Sequence, residues 1–266
     1  MGRNVNEGGD SQAYLEKKAK LANVLTIYGR KPVLEALQSP GVKAAKLHLA
    51  ASNKPASILN DIESLATQAG AEVVHHSKEA LSRISKNAKQ DQGVALDIQC
   101  HGWQSFDAFI ENIPADFELL ALDCVTNPQN LGMIVRSVCA SPAYGLLLPE
   151  KGCARLDALV IKASAGTLFR CPIIRTQSLL GSLQKLQKAD TQVIGLAGGG
   201  EHQLSSLPGN GRRVIIVGNE THGISREVLN ACDSRVSIAM ENGVESLNVA
   251  VAASLVAYRS LFAPQA

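Results

Sequence analysis

The chain has 266 residues, with 26 Lys and Arg against 24 Asp and Glu, and 45% of it is hydrophobic. That length suits two domains, and the apolar content excludes a mostly disordered chain. The near-neutral balance excludes a nucleic-acid partner held by bulk positive charge.

Residues 1–24 are polar, include KKAK at Lys17–Lys20, and are expected to form a flexible tail. They lack the apolar core of a secretory signal, and no later stretch reaches the roughly 18 consecutive apolar residues of a membrane span. A cytoplasmic location is therefore expected. From residue 25 to 100 the pattern alternates as a small α/β domain. YGRKPVLEAL is a helix with Pro32 in its first turn, where the missing N–H costs little. KLHLA is a strand, ASILNDIESLATQAG a helix ended by Gly70, and AEVVHH a second strand. VALDIQ (Val94 to Gln99) alternates like a half-buried strand.

Residues 101–118 carry Asp107, Glu111, Asp116 and Glu118 with no Lys or Arg, a shift that predicts an acidic linker, with SFDAFIENI able to form a turn or two of helix. From 119 to 266 a second βα pattern runs. Strands are expected at LLALDCV, GLLLP, PIIR, QVIGLA, RVIIVG and RVSIA. Helices are expected at Leu131 to Ala140, Leu156 to Ala165, Leu179 to Ala189, Ser225 to Ala231 and Leu247 to Leu261. Several of these strands are near-continuous apolar runs, as in a parallel sheet covered on both faces.

The six cysteines show no C-x-x-C pairing and the histidines no H-E-x-x-H, so no metal site is expected. Ligands of open α/β sheets bind outside the carboxyl ends of the strands. Three strand ends run into dense polar clusters: Thr126 to Gly132, Gly218 to Gly223, and Met240 to Asn248. A fourth opens into Gly198-Gly199-Gly200, which reads either as a plain turn or as a loop passing close to a ligand. It is not a dinucleotide fingerprint, because Gln203 stands where the third glycine belongs, and no P-loop is present. This disfavours a nucleotide-binding oxidoreductase or kinase.

At 100° per residue, Leu131, Ile134, Val135, Val138 and Cys139 share one helix face. Arg136 lies roughly 130° from the centre of that face, away from the core, as a solvated side chain or a phosphate contact. Glu220 reads as a turn carboxylate or a functional acid. Ser246 is expected to N-cap the last helix. Asn248, inside its first turn, is poorly explained by helix propensity.

Taken in order, NPQNLGMIVRS, IVGNETHGIS and VSIAMENGVESLNVAVAASL resemble the three motifs of the SpoU (TrmH-like) RNA 2′-O-methyltransferases of the SPOUT superfamily. KASAGTLFRCPI looks like a further family segment, and IYGRKPVLEAL with QGVALDI is similar to the family's substrate-binding domain. The resemblance spans about Thr26 to Phe262. It implies an open parallel sheet with a deep C-terminal trefoil knot, a homodimer, S-adenosylmethionine as cofactor and a structured RNA as substrate. Asn130, Arg136, Glu220, Ser246 and Asn248 match the catalytic positions. Leu196, Ala197, Gly198, Gly199, Gly218, Asn219, Glu220, Ile238, Met240, Ser246 and Leu247 fall where the family holds its cofactor. Arg30, Lys31 and Arg136 are candidate RNA contacts. Asn127 stands where Asp is common, Thr221 where Gly is common, and Ser141-Pro142 interrupts a small-residue stretch.

The implied reaction is in-line attack of a ribose 2′-hydroxyl on a sulfonium methyl. Because arginine is effectively always protonated, Arg136 reads as the holder of phosphate and ribose while Glu220, Ser246 and Asn248 orient it. Asn130 would fix the hydroxyl or Arg136. Ribosomal RNA, with a 23S guanosine as first guess, is favoured over transfer RNA by the separate front domain. A non-catalytic RNA-binding paralogue is the alternative, opposed by the intact motif residues. By region, residues 1–100 and 119–266 each hold 13 basic and 10 acidic residues, and the expected linker holds four acids.

Overall fold

The computed structural model describes residues 23–39 and 42–262. The expected tail falls outside the described residues as far as residue 22. The front domain is a four-stranded sheet of β1 (Val24–Tyr28), β2 (Lys43–Ala50), β3 (Glu72–His76) and β4 (Val94–Gln99), in the order β1-β4-β2-β3. Its helices are α1 (Arg30–Gln38), α2 (Ser57–Gln68) and α3 (Lys78–Ser85). Side chains alternate across the strands. Leu47, Leu49, Val94, Leu96 and Ile98 join Val33 of α1 and Ile62 of α2 in one core. Ala50 and Ala95, on the other face, pack on Leu81 of α3. Ser77 starts α3 by accepting a hydrogen bond from the Ala80 N–H at 3.2 Å. Neither β1 nor α3 was expected from periodicity.

The second domain is an eight-stranded sheet in which every pairing is parallel. Its strands are β5 (Trp103–Ser105), β6 (Phe117–Leu122), β7 (Gly145–Pro149), β8 (Ile173–Thr176), β9 (Gln192–Leu196), β10 (His202–Gln203), β11 (Arg212–Val217) and β12 (Ser234–Ser237), in the order β10-β12-β9-β11-β6-β7-β8-β5. The helices are α4 (Phe106–Glu111), α5 (Pro128–Ala140), α6 (Ala158–Ala163), α7 (Leu179–Lys188), α8 (Arg226–Asn230) and α9 (Val249–Tyr258). Two apolar clusters flank the sheet. Leu131, Ile134, Val160, Val249 and Ala253 lie in one, and Phe106, Phe109, Leu179, Leu183 and Val228 in the other. Cover on both faces explains the unbroken apolar runs of β7 and β11.

The expected linker over 101–118 is corrected: most of it belongs to this domain. β5 pairs with β8, and the buried Trp103 donates its indole N–H to the Leu168 carbonyl at 3.1 Å. Ser105 caps α4, and Phe106 and Phe109 enter the core. Three of the four acids have partners within the domain, and Glu111 is exposed. Glu118 is pinned between Arg259 and Arg213, the latter at 3.6 Å. Burial still pushes its carboxyl above the ordinary range, against the pull of both guanidinium groups. Asp116 accepts the Gly211 N–H at 2.6 Å, and Asp107 faces Lys185 at 3.5 Å. These carboxylates therefore do not act as a solvated acidic spacer.

The last helix is also corrected at its start. It begins at Val249, and its cap is Asn248, whose Oδ1 accepts the Ala250 N–H at 2.8 Å; Ser246 lies outside the helix. Capping is thus part of what places an asparagine there.

Candidate active site

Strand order brings the polar clusters together. Starting at β6, the chain extends the sheet through β7 to one side, while β11 flanks β6 on the other. Their carboxyl ends frame the kind of crevice in which open α/β sheets bind ligands. Val217 sits opposite Leu122, so the loops after both strands leave side by side. The buried Asp123 ties them, accepting the Ser225 N–H on Oδ2 at 2.6 Å. Asn219 adds a second tie through its amide, which donates to the Cys124 carbonyl at 2.8 Å. Its Oδ1 accepts from the Thr221 and His222 N–H groups at 2.9 and 3.1 Å. Gly218 packs where a Cβ would stand 2.1 Å from the Gly223 carbonyl carbon, so only glycine fits there without moving backbone.

α5 begins beside this loop. Asn127 caps it, its Oδ1 accepting from the N–H groups of Gln129 at 2.9 Å and Asn130 at 3.4 Å, and Pro128 occupies its first turn. Asn130, 7% exposed, is the hub of the site. Its amide donates to Glu220 Oε1 at 2.7 Å, while its Oδ1 accepts from the Asn248 amide at 3.2 Å. The second Glu220 oxygen accepts from Asn219 at 3.3 Å. One side chain from each polar cluster is thereby joined into a single hydrogen-bonded row. Bonding on both sides fixes which end of the Asn130 amide points to Glu220. Asn219, expected only as a cofactor contact, is also the organiser of the turn; its Asx-type bonds are the signal that residue type offered.

Arg136 stands outside that row. It is exposed on α5, while Leu131, Ile134, Val135 and Val138 are buried as the helical spacing predicts. Ser246 and Leu247 are exposed on the segment before α9. Leu196 and Ala197 are half-buried at the end of β9, next to Ile238 at the end of β12; Met240 is exposed. Within the glycine triplet the roles divide. A Cβ on Gly200 would meet Val236 backbone at 2.6 Å, whereas one on Gly198 or Gly199 would meet nothing within 4 Å. Gly200 therefore serves packing, and the other two leave open space beside the half-buried apolar residues.

Comparison with known proteins follows from this geometry. Residues 118–258 match the model of the SpoU rRNA Methylase family, and residues 26–101 match that of RNA 2′-O ribose methyltransferase substrate binding. The chain belongs to the SpoU family. An uncharacterised tRNA/rRNA methyltransferase of Mycolicibacterium paratuberculosis is 37% identical over 87% of this chain and 75% of its own. The SpoU methyltransferase AviRb of Streptomyces viridochromogenes, solved with AdoMet, shares the fold at a TM-score of 0.61 and 22% identity, covering 95% of this chain and 93% of that one. An AdoMet-bound rRNA methyltransferase of Sinorhizobium meliloti superposes with a TM-score of 0.58 at 20% identity, covering 94% and 90%.

Among SpoU motif positions, the departures in this chain have local explanations. Asn127 caps α5 with a side-chain oxygen, as Asp would. Thr221 needs no glycine conformation, because the left-handed residue of its turn is Gly223, at φ +68°. Ser141 follows the last turn of α5, where its N–H and hydroxyl both bond the Val138 carbonyl.

Proposed function

We propose that this protein transfers a methyl group from S-adenosylmethionine to a ribose 2′-hydroxyl of a structured RNA, with ribosomal RNA as the favoured substrate. The observation that carries this reading is the row Glu220–Asn130–Asn248, which unites the three motif segments. The presence of AdoMet in two structures of the same fold supports the cofactor. Its holders would be Leu196 to Gly199, Gly218 to Glu220, Ile238, Met240, Ser246 and Leu247, where open space meets half-buried apolar side chains. When bound, it supplies an electrophilic methyl group.

The chain's own residues then have to position a weak nucleophile. Arg136, free of the core and always cationic, holds the RNA phosphate next to the reacting ribose. Glu220 and Asn130 keep the polar row in one register, and Asn130 presents its amide at the point where a hydroxyl must be fixed. Asn248 links that amide to the start of α9. Ser246, exposed beside it, is left to meet the ligands. Tritium transfer into total ribosomal RNA and total transfer RNA from a strain lacking the enzyme, followed by mapping of the methylated nucleotide, tests the reading. Label in the ribosomal fraction, on a 23S guanosine, is expected; label only in transfer RNA overturns the substrate choice.

Gly218→Ala should weaken S-adenosylmethionine binding at least about tenfold, since the new methyl must displace the Gly223 backbone. Calorimetric titration measures this, and native affinity in the variant would remove Gly218 from the cofactor site.

The reading includes the family's trefoil knot and homodimer. Support for the knot is the match of residues 118–258 to the SpoU rRNA Methylase family, whose resemblance implies it. Support for the dimer is the outer stripe of α9, where Val251 and Leu255 are 49% and 45% exposed, continued by the exposed Leu247 and Phe262. An apolar stripe of this kind on a folded chain marks an interaction surface. Leu255→Glu is expected to shift a dimer to monomer in sedimentation analysis; an unchanged dimer would place the interface elsewhere.

A further inference from the structure

The front domain carries a cleft of about 720 Å³ that none of the residues Glu220, Asn130, Asn248 and Arg136 lines. Four cations line it: Arg30 at the start of α1, Lys54 after β2, Lys78 at the start of α3, and Lys89 before β4. None of the four takes part in an ion pair among the described residues. The single carboxylate in the wall, Asp91, is buried, and both its oxygens are occupied. Oδ2 accepts from Ser85 Oγ at 2.9 Å and Oδ1 from the Gly93 N–H at 3.0 Å. The accessible charge of the cleft is therefore positive.

Its walls are held in place. The Arg30 N–H donates to Gln92 Oε1 at 3.1 Å, and its Nε donates to the Gln92 carbonyl at 3.2 Å. This orients the guanidinium while leaving its terminal nitrogens for a ligand. Asn53 joins the two loops by donating to the Gly93 carbonyl at 2.9 Å. Gly93, at φ +76°, lies so close that a Cβ would stand 2.1 Å from Asn53 Oδ1. Ordered walls lower the entropy lost on binding.

The lining contains no aromatic ring on which a base could stack. A base-stacking site would need one. Four separated cations around a wide opening instead suit a chain of phosphates. We propose that this cleft grips the sugar–phosphate backbone of the substrate RNA, sequence-independently, through Arg30, Lys54, Lys78 and Lys89. The proposal rests on the RNA-methyltransferase reading and locates, within the substrate-binding domain, where the RNA is held. It also separates two neighbours: Arg30 faces the cleft, whereas Lys31 is not part of its lining.

Counterion release gives the test. Each phosphate contact contributes roughly 0.7 to 0.9 to the slope of log affinity against log salt. The full-length triple variant Lys54→Gln/Lys78→Gln/Lys89→Gln would be titrated with labelled, deproteinised ribosomal RNA and, in parallel, transfer RNA. Affinity should fall at least about tenfold on the preferred RNA, and the slope should drop by about 2 to 3. The matching Lys→Arg triple should restore both. Unchanged affinity and slope on both RNAs would overturn the proposal. So would an equal loss in the control Lys43→Gln/Lys185→Gln/Lys188→Gln, or displacement of RNA by about 1 mM inorganic phosphate at constant ionic strength. Tritium transfer by the native protein, measured on the same RNAs, separates the two readings. Loss of slope without any methylation would sink the enzymatic reading and leave the cleft.

Discussion

Arg136→Ala is expected to leave S-adenosylmethionine affinity unchanged and to lower RNA methylation by about 100-fold or more. The side chain is exposed on α5 and outside the row that joins Asn130, Glu220 and Asn248, so its removal disturbs neither core nor loop ties. Surface substitutions of this kind change stability by about 0.5 kcal/mol or less, and the melting temperature should not move. The loss falls instead on placement. A phosphate held by a forked, permanent cation fixes the attached ribose, and a well-oriented nucleophile can account for several kcal/mol of barrier. Arg136→Lys keeps the charge but loses the fork, so an intermediate rate is expected. Near-normal methylation by Arg136→Ala, with tritiated cofactor at saturating RNA, would remove Arg136 from the site.

The helix that carries Arg136 was legible residue by residue. Buried Leu131, Ile134, Val135 and Val138 alternate with exposed Met133 and Arg136 because one face of α5 lies on the sheet. The three polar clusters were legible too, since each interrupts an apolar strand at its carboxyl end. Their convergence was not. Asn130 and Glu220 are 90 residues apart and Asn130 and Asn248 are 118 apart, distances over which no periodicity acts. Strand order sets the loops after β6 and β11 side by side, the run from β12 to α9 brings Asn248 to them, and no local pattern encodes either.

Composition misled at residues 101–118 for a related reason. Acids without bases read as a spacer, yet Glu118 finds Arg213 and Arg259 from distant segments. β5 is three residues long, too short to show an alternation. The charge balance changes meaning with this. Glu118 and Asp107 face cations of the catalytic domain itself, while four cations of the front domain line one cleft.

Asn130→Asp tests the polar row more sharply than truncation. The Asn130 amide meets Glu220 Oε1 at 2.7 Å, and an aspartate would turn that donor into a second anionic oxygen. Two carboxylates at that separation cannot both ionise, so the pair keeps one proton with a pKa raised above the usual carboxylate range of about 4. The proton restores the missing donor, which fixes the sign. Below the raised pKa the row is intact; above it, repulsion drives Glu220 and its loop away from α5. At about pH 8, methylation should be roughly 100-fold below native, and the ratio of variant to native rates should recover as pH falls toward about 6. Stability follows the same direction. A group with a raised folded-state pKa contributes stability that is lost as pH rises through that value, so the variant's melting point should fall further below native with increasing pH. A rate ratio that stays flat from about pH 6 to 9 would show that Asn130 and Glu220 do not share a proton-dependent contact, and would break the row on which the proposed mechanism depends.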